Sequence, residues 1–344
     1  MTATTAAAAA TRRSPASRVL ALLRRRETSI LAAFVVMVVV TAAVQPTFVF
    51  SPDGWRNLLL NPAIYMVLAI GAAFVIITKS VDLSVGSTMG LTAFMIGSTY
   101  IAWPGMPAPV AFLLGIGFGA ALGLVNGGLV AIAKVPGMVI TLGTMYVFRG
   151  INILWAGTTR INASQMGPDF LAFGNLQLLG IPALTILAIV VLLGAAWYLH
   201  NTRSGRELYA IGSAPDAAEL YGLPARKRML AAFVVSGAMA GLAGVMFAAR
   251  YGTIASNAGS GYELQAIGAA VIGGIAITGG SGTVIGAAFG AILLATINSS
   301  LPLLGIQSFW QKAVVGVLIL GAIILDRVLA VRQRRKLVAE RMEP

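Results

Sequence analysis

A carboxylate and two hydroxyls stand between two long apolar runs in the segment VDLSVGS, residues 81–87. The preceding run is PAIYMVLAIGAAFVIIT and the following one is MGLTAFMIGSTYIAW. A carboxylate at membrane depth costs several kcal/mol unless protein groups or a water-filled cavity satisfy it. Asp82 is therefore expected to face inward, where it can begin a helix by accepting hydrogen bonds from free backbone N–H groups.

The same segment can also form part of a path for a solute. The hydroxyls of Ser84 and Ser87, together with the carboxylate, offer the donors and acceptors that suit a polyhydroxylated molecule. A broken segment at this depth also exposes backbone dipoles. Asn126, Thr141 and Thr144 are further candidates to line the path. Alternatively, these polar side chains satisfy one another between helices, which is common in membrane bundles.

Nothing in the sequence resembles a catalytic or metal-binding constellation. The chain has no cysteine and a single histidine, His200, at a predicted membrane boundary. It also lacks the phosphate-binding pattern G-x-x-x-x-G-K-[ST]. We therefore expect no enzymatic activity, no metal and no cofactor. A secondary transporter acting alone is also disfavoured, because it would need charged residues buried in several spans, and only Asp82 and, at an edge, Asp326 are candidates.

Composition predicts an all-α integral membrane protein. Of the 344 residues, 58% are hydrophobic and only 10% are charged, and the mean hydropathy is +0.88, whereas soluble domains carry about 25% charged residues. A helix needs ~20 mostly apolar residues to cross a bilayer, and about ten such runs occur. The predicted spans are 28–45, 62–78, 83–101, 107–133, 138–156, 180–199, 229–249, 264–278, 282–299 and 312–326.

The formal charge of +13 reflects membrane topology rather than nucleic-acid binding. Most of the basic residues cluster beside alternate ends of the predicted spans, as the positive-inside rule requires. This distribution predicts that both termini are cytoplasmic. We expect a disordered basic tail over 1–27, one transmembrane domain over 28–327 with a cytoplasmic loop at 200–228, and a second basic tail over 328–344.

Two polar loops are candidates for contacts with partner proteins. In the cytoplasmic loop, PDAAELYG has the pattern of a short helix, because proline and acidic residues favour a helix start and glycine favours its end. We interpret it as a docking helix, and the alternative is a solvated loop whose arginines enforce topology. In the outward loop RYGTIASNAGSGYEL, the candidate contact residues are Asn257, Tyr262 and Glu263, unless Glu263 merely caps the next helix.

Several segments resemble permease subunits of bacterial ATP-binding-cassette (ABC) importers for simple sugars of the ribose, xylose and galactose type. ITKSVDLSVGSTMGL is similar to a signature in which Gly-Gly-Ile usually precedes Asp-Leu-Ser-Val-Gly-Ser, and here Lys79-Ser80-Val81 takes that place. Further similar segments are 124–151, 205–230, 257–306 and 308–326, so the resemblance covers about residues 45–327. Branched-chain amino acid permeases resemble a different motif, Asn-Phe-Ala-His-Gly, at this position.

The resemblance implies a multi-pass inner-membrane permease that performs no chemistry. Its expected partners are a cytoplasmic ABC ATPase, a periplasmic sugar-binding protein, a second identical or related permease, and membrane lipids. The segment matching the family's coupling region assigns ATPase docking to the following residues: Asp216, Ala217, Ala218, Glu219 and Gly222. The outward loop would meet the binding protein. A permease for branched-chain amino acids or for nucleosides remains the alternative to one for a sugar.

Overall fold

The computed structural model describes residues 26–133, 135–307, 309–318, 320, 321 and 324. The helices up to residue 156 are α1 (Arg26–Val44), α2 (Thr47–Phe50), α3 (Pro52–Ile77), α4 (Val85–Ala102), α5 (Ala108–Ala133) and α6 (Gly137–Ala156). The later ones are α7 (Pro168–Asn175), α8 (Ala183–Asn201), α9 (Arg203–Ser213), α10 (Pro215–Leu220), α11 (Ala225–Tyr251), α12 (Tyr262–Ile272), α13 (Val284–Leu303) and α14 (Phe309–Leu318). A 3₁₀ turn (Ala163–Gln165) and a small antiparallel hairpin, β1 (Gln177–Leu178) with β2 (Ile181–Pro182), precede α8.

The predicted all-α membrane class is confirmed. Six described helices, namely α3, α5, α6, α8, α11 and α13, are long and apolar enough to cross a membrane. The total of ten spans and the cytoplasmic placement of both termini remain predictions. Residues 1–25 of the predicted first tail and the whole predicted second tail, 328–344, lie outside the described residues. The predicted tenth span, 312–326, is described as helix up to Leu318, and most of its residues after that lie outside the described residues as well.

Two predicted spans differ most from the structure, each at one end. The span predicted from residue 62 begins at Pro52, where the Ser51 hydroxyl accepts a hydrogen bond from Gly54 N at 2.9 Å and caps α3. Polar residues in its first turns and an internal proline, Pro62, hide this start in the sequence, since proline disfavours a helix interior. The span predicted to reach residue 278 ends at Ile272, because two glycines follow it and the chain turns there.

Helices α5 and α11 pack with backbone directly against backbone. Glycines recur every fourth residue along one face of α5, and glycines of α11 face them. A Cβ atom at Gly119 would overlap the Gly237 carbonyl oxygen and lie 2.6 Å from the Gly241 Cα, so neither position accepts even alanine without movement. Small residues allow such close approach where lipid supplies no hydrophobic drive between helices. This contact fixes the relative register of α5 and α11.

The chain breaks between α3 and α4, over residues 78–84. The N–H of Lys79 donates to Ile76 O at 2.9 Å and that of Ser80 to Val75 O at 3.2 Å, which is the hydrogen-bond pattern of a Schellman helix end. Lys79 occupies the left-handed region with φ +64°, where glycine is strongly preferred because it has no Cβ. The break thus holds an ordinary side chain in a conformation that disfavours it.

The two predicted partner loops lie at opposite ends of the bundle. Helix α8 connects the β hairpin to α9, and its 19 residues separate these elements by roughly 28 Å at 1.5 Å per residue. At the hairpin end, Ile161 and Ile254 exchange two backbone hydrogen bonds of 3.0 Å, which joins the loops after α6 and α11. At the other end, the segment predicted as a cytoplasmic loop folds into α9 and α10.

Replacing Gly119 by alanine is expected to destabilise the protein, whereas the same change at Gly117 is not. The new methyl at 119 meets the immobile backbone of α11, and overpacking of this kind costs ~1–3 kcal/mol. Gly117 lies on the same helix with open space around its Cβ position, and alanine there favours the helix by up to ~1 kcal/mol. Thermal unfolding of the two purified variants in detergent checks this. Equal melting temperatures would contradict the packing described for α5 and α11.

Candidate functional site

Asp82 lies in a closed hydrogen-bonded cluster at the start of α4, and its side chain is buried (2% exposed). Its Oδ1 accepts from Ser84 N at 2.9 Å and from the Ser84 hydroxyl at 2.7 Å. Its Oδ2 accepts from the Ser236 hydroxyl at 2.9 Å. The helix starts at Val85 with Ser84 as the N-cap residue, so the carboxylate organises the turn before the helix, close to the predicted helix start.

The cluster joins residues of the break to side chains from two helices, α5 and α11. Asn126 of α5 donates from Nδ2 to the Ser84 hydroxyl at 2.7 Å, and Ser236 of α11 binds the carboxylate. Asn126 and Ser236 each lie next to a glycine of the contact between α5 and α11. The contact between these two helices therefore places both side chains beside the break. The Asn126 Oδ1 is buried and has no hydrogen-bond partner among the described residues. Sequence reasoning identified Asn126 but missed Ser236, which lies 154 residues from Asp82 in the apolar middle of α11.

The remaining predicted path residues bond mainly to backbone. The Thr141 hydroxyl accepts from Leu83 N at 3.1 Å and lies 2.9 Å from Gly137 O, so it ties α6 to the break. The Thr144 hydroxyl donates to Thr141 O at 3.3 Å, and the Ser87 hydroxyl to Ser84 O at 2.9 Å. The six predicted path residues are therefore buried and engaged with protein groups, the alternative that the sequence left open. Their role in transport stays a prediction.

A half-buried ion pair adjoins the same segment on its other side. Arg149 Nη2 lies 3.2 Å from Glu263 Oε1, and Glu263 Oε2 accepts from Gly261 N at 3.1 Å. A Cβ at Gly86 would overlap Glu263 Oε2 and lie 2.6 Å from Gly259 O. The glycine of the DLSVG segment is thus required by close approach of the loop before α12. The pairing of Arg149 with Glu263 has no signal in the sequence, since 114 residues separate them.

The three residues predicted to contact a binding protein differ in exposure. Asn257 is exposed, whereas Glu263 is buried in the ion pair and Tyr262 is half-buried. The Tyr262 ring stacks on Tyr65 with centroids 5.0 Å apart and planes 8° from parallel. Only Asn257 of the three therefore presents its side chain at the surface of this chain, and the predicted contact role of all three remains untested.

The predicted docking helix exists as α10, Pro215–Leu220, and Gly222 follows it with φ +73°. Asp216 and Glu219 are exposed, Ala217 is half-buried, and Ala218 is buried (4% exposed) against its own chain. The most prominent groups are two that the sequence reasoning overlooked. Leu220 and Tyr221 are 88% and 87% exposed, and their position at the last turn of a short helix was the available signal.

A charged network holds this end of the molecule together. Glu207 of α9 accepts from Arg228 of α11 at 2.6 Å and from Arg203 at 2.9 Å. The hydrogen bond from Arg228, reinforced by Arg203, holds the pKa of Glu207 below its usual value. The carboxylate is therefore ionised at neutral pH and ties α9 to the first turn of α11.

The two buried carboxylates of this region hold helices and loops together. Among the described residues, no group of three or more His, Cys, Asp and Glu side chains is placed to hold a metal ion. The buried carboxylates of Asp82 and Glu263 are engaged by hydroxyls, backbone N–H groups or a guanidinium. Such networks hold helices in one arrangement and are costly to leave half satisfied.

Comparison with known proteins identifies a transport family. A family profile described as "Branched-chain amino acid transport system / permease component" matches residues 55–323. No solved structure matches the chain.

Curated relatives cover most of the chain. "Autoinducer 2 import system permease protein LsrC" of Salmonella paratyphi B is 41% identical over 76% of this chain and 75% of its own length. The protein of the same name from Enterobacter sp. is 36% identical over 83% of each chain, and that from Yersinia pseudotuberculosis is 37% identical over 80% of this chain and 78% of its own.

The Ser236→Ala variant is expected to unfold more easily than the wild type. It leaves a buried carboxylate oxygen of Asp82 without its donor, and an unsatisfied buried group costs ~1–3 kcal/mol, more when it is charged. Ser300→Ala is the matched control, since its buried hydroxyl has no partner among the described residues. Melting temperatures of the two variants in detergent make the comparison. A larger loss for Ser300→Ala would contradict the role given to Ser236.

Proposed function

Because this chain belongs to the family of branched-chain amino acid transport system permease components, we propose that it forms the path of an ATP-driven importer for a monosaccharide or sugar-like solute. It is a multi-pass membrane protein and a transport subunit. In this proposal a cytoplasmic ABC ATPase supplies the energy, a periplasmic binding protein delivers the solute, and a second permease completes the path. The bacterial inner membrane is the corresponding location.

The choice of solute is supported by the relatives rather than by the family description. The relatives are named for import of autoinducer 2, and we propose autoinducer 2 as the first solute to test, with D-ribose as a simple monosaccharide. The DLSVGS segment supports the same choice, because it resembles the sugar-type signature. A branched-chain amino acid is the second candidate, since the family description names that class.

The exposed tip of α10 carries the proposal of an ATPase partner. Leu220 and Tyr221 project from a polar end of the molecule with almost their full surface exposed, which is costly for a surface without a partner. Large apolar anchors in a polar rim are typical of protein interfaces. Exposed Asp216 and Glu219 form part of that rim. Gly222 closes the helix behind the tip.

Placing α10 against a cytoplasmic ATPase also gives the orientation of the protein in the membrane. If α9 and α10 lie in the cytoplasm, the basic residues around them obey the positive-inside rule, and the β hairpin end faces outward. We propose that Asn257 and the joined loops at that end lie beneath the binding protein. Both termini are then cytoplasmic.

Leu220→Asp is expected to weaken binding of the ATPase subunit at least about tenfold, because a buried apolar anchor contributes ~2 kcal/mol or more to an interface. The measurement is the affinity of the detergent-solubilised permease for its ATPase. Leu179→Asp is the control, since Leu179 is at least as exposed as Leu220 but lies in the β hairpin at the opposite end. Unchanged affinity for Leu220→Asp would exclude the tip of α10 from the interface.

Proteoliposomes test the function itself. The permease, reconstituted with the ATPase and binding protein from neighbouring genes, is expected to accumulate autoinducer 2 or D-ribose only when all three proteins and ATP are present. L-Leucine is the comparison solute. Accumulation without the ATPase would identify a secondary transporter, and uptake of L-leucine alone would assign the amino acid class instead.

A further inference from the structure

We propose that a backbone junction between α9, the break after α3 and the loop before α13 transmits movement of α10 to the Asp82 cluster. This inference rests on the proposed function, because it assumes that an ATPase moves α10. The junction consists of Gly212 and Ser213 of α9, Ile77 at the end of α3 with Thr78 and Lys79 of the break, and Gly279–Gly282 of the loop.

Helix α10 cannot move independently of the end of α9. A single residue, Ala214, separates Ser213, the last residue of α9, from Pro215, the first of α10. Its N–H donates to Ala210 O at 3.2 Å and its carbonyl accepts from Ala218 N at 2.9 Å. Ala214 therefore belongs to the hydrogen bonding of both helices. A displacement at the tip of α10 must shift the last turn of α9.

The last turn of α9 touches the end of α3 without intervening side chains. A Cβ at Gly212 would overlap the Ile77 carbonyl oxygen and lie 2.6 Å from Gly280 N. Gly280 N itself donates to Ile77 O at 2.9 Å. Because close-packed backbones leave no room to absorb a shift, movement of Gly212 is passed directly to Ile77 and Gly280.

Polar contacts hold α9 to the loop before α13. The Tyr209 hydroxyl donates to Gly282 O at 3.0 Å. The Ser213 hydroxyl lies 3.4 Å from Gly280 O, and a Cβ at Gly280 would lie 2.6 Å from Ser213 N. The loop in turn lies against the break, since a Cβ at Gly279 would be 2.8 Å from both the Cβ and the N of Lys79.

Lys79 is the link between the junction and the buried carboxylate. It precedes Asp82 by three residues and holds the left-handed conformation with φ +64°. Residues kept in such conformations need surrounding structure to maintain them and are typical of switch regions. The loop provides that support through Gly279, so a shift of the loop or of Ile77 alters the conformation of the break that carries Asp82.

The loop also reaches the other side of the same segment. It follows α12, whose first turn carries Glu263 against Gly86 and paired with Arg149. The junction therefore contacts the chain at Lys79, three residues before the DLSVGS segment, and is joined through α12 to the segment itself at Gly86. Two connections to one short segment favour its movement as a unit.

Gly212→Ala tests the junction in the assembled transporter. Three quantities are measured in proteoliposomes: basal ATP hydrolysis, its stimulation by the binding protein loaded with autoinducer 2 or D-ribose, and uptake of that solute. Because the new methyl would overlap the Ile77 carbonyl oxygen, we expect a lower yield of assembled complex, so all rates are expressed per assembled complex. On that basis we expect normal basal hydrolysis, but stimulation and uptake reduced about tenfold, within the range typical of coupling between sites. A purely structural defect would instead lower basal hydrolysis per assembled complex together with uptake.

Two further variants keep the test decisive. Tyr209→Phe removes only the hydroxyl bonded to Gly282, and we expect it to lower stimulated hydrolysis and uptake while basal hydrolysis stays unchanged. Gly194→Ala on α8 is the control, because its Cβ position meets nothing within 4 Å. Wild-type stimulation and uptake in Gly212→Ala would overturn the proposal. If Gly212→Ala does not assemble, wild-type behaviour of Tyr209→Phe overturns it. Absence of ATP-driven uptake in the wild type would refute the proposed function, and the junction's role with it.

Discussion

The approach of α5 to α11 is the constraint on which the rest of the structure depends. The two helices meet through glycines, with the backbone at Gly119 against Gly237 and Gly241, and this fixes their register to within a residue. That register places Asn126 and Ser236 at the break between α3 and α4. Ser236 completes the hydrogen bonding of the buried carboxylate that Ser84 begins, and Asn126 holds the Ser84 hydroxyl in turn, as buried polar groups require.

The Asp82 cluster fixes the conformation of the break. Its carboxylate accepts three hydrogen bonds, so the break is held in one arrangement while its donors remain in place. A satisfied polar network in a low-dielectric interior is rigid, and loss of one member is costly. Under the proposed function, this cluster is a latch that holds the break until movement of α10 is transmitted to it. The adjacent ion pair of Arg149 and Glu263 holds the other side of the first turn of α4 in a similar way.

Local features were predictable from the sequence because local chemistry determines them. The helix break at Asp82 and the short helix closed by Gly222 follow from turn and capping preferences within a few residues. The predicted start of α3 was wrong, because Pro62 and several polar side chains hid the first turns of a helix that tertiary packing stabilises. The partners of Asp82 and Glu263 could not be inferred, since Ser236 and Arg149 lie more than 100 residues away. The similar sugar permeases usually have glycine at the position of Lys79. The structure shows the reason, because the residue there has a positive φ, which glycine adopts most easily.

Hydrogen–deuterium exchange in the assembled transporter tests most directly whether the break is a latch that responds to the ATPase. Peptides covering residues 77–88 and 274–283 would be followed with and without a non-hydrolysable ATP analogue. If the break is such a latch, the backbone amides of both segments exchange slowly without nucleotide, and exchange in both changes together when the nucleotide binds. Fast exchange in the nucleotide-free state, or a response in the loop with none in the break, would contradict this role of the break.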